Sequence, residues 1–193
     1  MDVGPKLSQI ETGRICYSGI SEATIERARN CLREAPIADW FAQHPEQPSW
    51  AAGLDVRERL DILKDIIETW TDNPLHLSMV ARMLTNAVPP ASDGLEGQKV
   101  QLKMYVAART SSRDQIYHLK DGIRRNEAEV VVIIPTETWG VENGFFIKDL
   151  EMKAGQYICL KGNEPITIHG VDAVHLVIFS FVLSPTSPES SQA

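Results

Sequence analysis

Apolar residues recur every three or four positions in the first half of the chain and every second position in much of the latter half, so helices are expected first and strands after them. Ser21 can cap a helix carried by Ile25, Ala28 and Leu32, and Pro36 disrupts it ahead of Trp40 and Phe41. Asp55 and Glu58 have capping-box spacing, in which each side chain satisfies an exposed backbone N–H. Val56, Leu60, Leu63, Ile67 and Trp70 then form one apolar stripe. Asn73 and Pro74 suit the cap and first position of a third helix, where the N–H that proline lacks would have no partner anyway. Leu77, Val80 and Leu84 continue it as far as Pro89 and Pro90.

Ala91 to Gln98 is rich in Gly, Ser and Asp and predicts a linker. Beyond it, Val100, Leu102, Met104, Val106 and Ala108 alternate with Gln101, Lys103 and Tyr105, the pattern of a strand with one face on a core. Val130 to Ile134 is continuously apolar and β-branched, as a central strand covered on both faces requires. Shorter strands are predicted at Gly144 to Ile147, Tyr157 to Leu160 and Ile166 to His169, and a long one at Ala173 to Leu183. Turn signals at Trp139-Gly140, Asn143-Gly144, Ala154-Gly155 and Gly162-Asn163 separate them, as in a barrel or sandwich padded outside by the helices. The fold class is α+β. One domain is expected over residues 1–183, helical over about 20–90 and β-rich over about 98–183, with a disordered polar tail at 184–193.

With 193 residues, 43% of them hydrophobic and 23% charged, the chain can bury one sizeable core. Its formal net charge of −7 opposes phosphate backbones and anionic lipid, and the short Arg124-Arg125 pair does little to offset it. A small molecule is therefore the expected partner, nucleic acid and membrane are not, and an exposed edge strand would allow a homodimer. Cys16, Cys31 and Cys159 leave one over in any pairing scheme and form no C-x-x-C, so they read as reduced thiols. The N-terminus lacks an apolar signal core, and a cytoplasmic location is the expectation.

Among the five histidines, His118 and His169 sit where a barrel would open. Two imidazoles and one carboxylate, here Asp121, leave coordination positions open for substrate and oxygen, the facial arrangement of non-haem Fe(II) enzymes. The spacing of His118 and His169, the approach LEMKAGQYICLKGNEPITIHGV and the closing HLVIFSF resemble the Fe(II)/2-oxoglutarate-dependent dioxygenase superfamily over about residues 100 to 183. The resemblance implies N-terminal helices on a double-stranded β-helix barrel of jelly-roll or cupin-like form, with Fe(II) and 2-oxoglutarate as cofactors. It also implies His118, Asp121 and His169 as metal ligands in an oxygenase acting on a small organic substrate.

This sequence departs from the family twice: two residues rather than one separate His118 from Asp121, and His175 stands on the closing strand where the family has Arg. His175 or Lys161 is then the candidate for holding the far carboxylate of 2-oxoglutarate, a task that suits Arg better because its fork binds carboxylate through two parallel hydrogen bonds. His175 shares a strand face with Val177, Phe179 and Phe181, where a hydrogen-bonded core histidine is the structural alternative; His44 and His76 read as structural. A second reading is a metal-free barrel that binds, isomerises or cyclises a small molecule, with His169 and His175 orienting it or moving a proton. A third is a non-enzymatic binding module. No G-x-S-x-G, P-loop or H-E-x-x-H supports a hydrolase, nucleotidase or zincin.

Overall fold

The first helix, α1 (Glu22–Glu34), begins at Ser21, whose Oγ accepts the Thr24 N–H at 3.1 Å, and it stops ahead of Pro36. The second is α2 (Leu60–Thr71), and residues 58–59 between it and Asp55 lie outside the described residues. Asp55 Oδ1 accepts the Arg57 N–H at 3.2 Å, a bond of capping type, and the guanidinium Nε at 2.9 Å. The third, α3 (Pro74–Ala87), has Asn73 Oδ1 accepting the Leu75 N–H at 3.1 Å, as expected of a cap.

The computed structural model describes residues 15–39, 43, 51–57, 60–87, 98–110, 115–118, 129–140, 146–147, 150–161, 165–169 and 174–185, and of 86–87, 115–118, 146–147, 165–169 and 185 the backbone alone. Trp40, Phe41, His44, Glu58, Asp121, the 91–97 linker and the 186–193 tail lie outside the described residues. Among the described residues, no helix is long and apolar enough to cross a membrane.

The strands are β1 (Ile15–Tyr17), β2 (Ala51–Gly53), β3 (Gln98–Thr110), β4 (Gln115–His118), β5 (Val130–Pro135), β6 (Phe146–Ile147), β7 (Gln156–Lys161), β8 (Pro165–His169) and β9 (His175–Pro185). They pair antiparallel in a six-stranded sheet ordered β1-β7-β5-β9-β3-β2 and a three-stranded sheet ordered β4-β8-β6. The edges β1 and β2 come from the helical half and escape the sequence reading, because three residues are too few to show a period of two. The closing strand β9 runs to Pro185, two residues into the predicted tail.

Alternation gives the large sheet two faces with different fillings. Val130, Val132, Ile134, Tyr157, Cys159, Val177, Phe179 and Phe181 join Ile25, Leu32, Leu63, Trp70 and Val80 of the helices in one core. Trp70 is its centre, 4.6 Å from the His76 ring and 5.1 Å from Phe179 between centroids. The opposite, inner face carries Val131, Ile133, Ile158, Leu160, Leu176 and Ile178 with Trp139 and Met152, all fully buried. Gly155 closes the turn into β7 at φ +75°, a conformation that favours glycine, and a Cβ there would meet Ile25 at 3.1 Å.

Chain length fixes which ends of the two sheets correspond. Four residues join β3 to β4 and five join β8 to β9, and so few can span little more than the gap between stacked sheets. Thr110, Gln115, His169 and Val174 therefore lie toward one end. His118, at the far end of β4, and Glu129, which leads into β5 where β9 is finishing, lie toward the other.

Candidate functional site

The β4–β8 ladder decides how the two candidate histidines stand. Gln115 pairs with Ile168, Ile116 with Thr167, Tyr117 with Ile166 and His118 with Pro165. The residue opposite His118 is thus Pro165, and His169 lies four positions further along β8, level with Phe146 of β6. At about 3.3 Å per strand residue, that is about 13 Å along the ladder. The register does not bring His118 and His169 together, and the third expected ligand, Asp121, is outside the described residues. Among the described residues, no three His, Cys, Asp or Glu side chains cluster as metal ligands.

His175 and Lys161 are on the helix-facing side of the large sheet, not the inner one. His175 has the parity of Val177 and Phe179, and Lys161 that of Tyr157 and Cys159. His175 is buried and committed to Glu137: its backbone N–H donates to Oε2 at 2.7 Å, and its ring Nδ1 stands 3.2 Å from Oε1. An ionised carboxylate only accepts, so Nδ1 carries the proton in this contact. Arg33 of α1 donates from Nε to the same Oε1 at 3.1 Å, and Arg29 Nε donates to the Thr136 carbonyl at 2.8 Å. Burial pushes the Glu137 carboxyl up, but the hydrogen bonds from His175 and Arg33 outweigh it and hold the group below its ordinary value. Arg33, Glu137 and His175 therefore clamp α1 and the 136–138 turn onto the start of β9. The sequence does not announce Glu137 as a partner because 38 residues separate it from His175.

The inner face of β9 offers Val174, Leu176 and Ile178 at the end where the family resemblance requires a cation. A dicarboxylate meeting those side chains would find no donor. Polar groups enter this face further along. Lys103 occupies the bulge between Leu102 and Met104 of β3, and its Nζ pairs with Glu129 Oε1. Ser180 lies on the same face, paired in register with Met104 and Val131. None of these three stands out in sequence, since Lys103 and Ser180 read as ordinary members of alternating strands.

His76 is structural: Nδ1 is 2.8 Å from the Trp70 carbonyl and Nε2 3.4 Å from Asn73, and burial lowers its pKa. A cleft of about 390 Å³ opens between Tyr17, Glu22, Arg29 and Gly155 outside the barrel. Its main polar groups are already engaged, Ser18 Oγ with the Gly155 carbonyl and Arg29 with Glu26 and Thr136.

No protein-family model matches the sequence, and no curated protein matches it. Solved structures do match in fold. HygX from Streptomyces hygroscopicus, with nickel, 2-oxoglutarate and hygromycin B bound, superposes with a TM-score of 0.54 at 12% identity over 89% of this chain and 83% of that one. The epimerase SnoN, in complex with Fe3+, alpha ketoglutarate and nogalamycin RO, gives 0.55 at 7% identity over 93% and 86%. The viral collagen prolyl hydroxylase vCPH from Paramecium Bursaria Chlorella virus-1 gives 0.53 at 8% identity over 97% and 96%. The chain has the fold of 2-oxoglutarate-dependent enzymes. At these identities the likeness is one of fold, and it accounts for the pairing of the six- and three-stranded sheets as the two walls of a jelly roll. On that fold the backbone register sets His118 and His169 at opposite ends of the β4–β8 ladder, and His175 and Lys161 have the strand parity of the helix-facing side.

Proposed function

We propose that the chain is a small-molecule-binding barrel of the 2-oxoglutarate-enzyme fold that does not gather an iron ion on His118, Asp121 and His169. The observation that carries this reading is the β4–β8 register, in which Pro165 rather than a histidine faces His118. The inner face of β9 supports it as well, since Leu176 and Ile178 offer a dicarboxylate no donor where the family resemblance requires a cation. In this reading His175 serves the clamp with Glu137, and His169 is free to orient a ligand or move a proton at the end of β8. The test is fragment binding by ligand-observed NMR with and without a strong chelator. Binding that is indifferent to chelation is expected, and binding abolished by chelation would sink the proposal.

A second reading has one observation in its favour, the company of its fold, which includes proteins solved with nickel or iron and 2-oxoglutarate. In it the chain is a non-haem Fe(II), 2-oxoglutarate-type oxygenase of a small organic substrate. It requires His118, Asp121 and His169 to converge on iron, and a calorimetric titration with 2-oxoglutarate in the presence of Fe(II) would reveal it.

A further inference from the structure

His76 holds the corner between α2 and α3. It is the third residue of α3 and 6% exposed, with its ring stacked on Trp70 at 4.6 Å and edge-on to Tyr157 of β7 at 4.9 Å between centroids. Trp70 lies in the last turn of α2, where a backbone carbonyl has no partner within the helix, and His76 Nδ1 reaches that carbonyl at 2.8 Å. A carbonyl only accepts, so Nδ1 carries the proton of the neutral ring. Nε2 is then the acceptor, and the Asn73 side-chain amide nitrogen donates to it at 3.4 Å. That amide is oriented from its other end, because Asn73 Oδ1 accepts the Leu75 N–H at 3.1 Å as the cap of α3.

A second ring proton would sit on Nε2 and point at the Asn73 amide nitrogen, donor against donor. Turning the amide over would satisfy the ring but would take the acceptor away from Leu75 and uncap α3. Among the described residues no carboxylate bonds the ring. Glu68 and Asp72, on the α2 side of the corner, are exposed, and the Tyr157 phenol stays neutral because burial and the Cys159 and Cys16 thiols push its pKa up. We propose that protonation of His76 releases the first turn of α3 from Trp70, which makes the α2–α3 corner a pH-operated joint while the six-stranded sheet stays paired. Burial lowers the ring's pKa from 6.5 and outweighs the Trp70 carbonyl, which raises it. The open corner takes up the proton at the ordinary value and the closed corner only at lower pH. Closure is therefore favoured above 6.5 and is lost as pH falls from there toward the folded value.

Amide hydrogen exchange of the full chain, corrected for its intrinsic pH dependence, compares wild type with His76→Phe at about pH 7.5 and about pH 5.5. The variant keeps a ring on Trp70 and cannot take up a proton. In the wild type, protection of Leu75 to Val80 is expected to fall by more than about threefold between the two conditions, with Val131 to Ile134 unchanged, and in the variant it should not change. Equal losses in both proteins, or none in the wild type, overturn the proposal. If His76→Phe does not fold, the wild-type ring is itself the readout by NMR: the His76 imidazole should titrate below 6.5, and titration at or above that value overturns the proposal as well.

Discussion

The two faces of the six-stranded sheet differ in the polar groups that they bury. On the helix-facing side both described histidines are paired, His76 with Trp70 and Asn73, and His175 with Glu137, which in turn binds Arg33, while the Trp70 Nε1 has no partner. On the inner side the core is aliphatic around Trp139 and Met152, and Glu129 Oε2 and Ser180 Oγ have no hydrogen-bond partner. Buried histidines held through a ring nitrogen are parts of the scaffold. A titratable residue type in a family-like position is therefore weaker evidence than the state of its hydrogen bonds.

Trp70→Ala attacks the helix-facing side at its centre and should have the largest effect, a loss of about 3–5 kcal/mol in urea unfolding, because it empties a site ringed by His76, Tyr157, Phe179 and Phe181. On the inner side, Lys103→Ala should cost about 3 kcal/mol by leaving Glu129 buried and uncompensated. Glu129→Ala should cost less, since the half-exposed Lys103 can turn to water, and Lys103→Met with Glu129→Leu should recover most of the loss. Equal costs for the two single changes would contradict the burial of Glu129.

Glu137→Gln sharpens the comparison through pH. The folded state holds this carboxyl below its ordinary value of 4.5, so its contribution is present above that value and is lost as pH falls through the folded one. The variant should be less stable by about 1–2 kcal/mol at neutral pH, and in unfolding experiments the gap should narrow as pH falls below 4.5 and through the lowered folded-state value. The smallest effect belongs to Ser180→Ala, which should change stability by less than about 0.5 kcal/mol or raise it, because the hydroxyl has no bond to lose. A loss above about 1 kcal/mol would mean that Ser180 is bonded within the fold.

Much of this fold is legible in the sequence. The caps at Ser21 and Asn73, the buried run of Val130 to Ile134 and the alternation of β9 are local signals, and each element forms where its signal stands. Asp55 accepts the Arg57 N–H as a cap does, and its expected partner Glu58 lies outside the described residues. The β1 and β2 edges depend on pairing with residues far along the chain, which no local pattern reports.

The candidate site was less legible, for the same reason. Spacing of about fifty residues aligns His118 and His169 in one dimension, but antiparallel register decides whether they meet, and register is a non-local property. The closing-strand position of His175 was readable and so was its sheet face. That Glu137 holds it on the helix side was not.

The central claim is tested most directly by the iron content of protein purified anaerobically with Fe(II), comparing wild type with His169→Ala. The β4–β8 register predicts that neither protein holds stoichiometric iron in a way that depends on His169. About one iron per chain, lost in His169→Ala, would contradict it and establish the iron-dependent reading in its place.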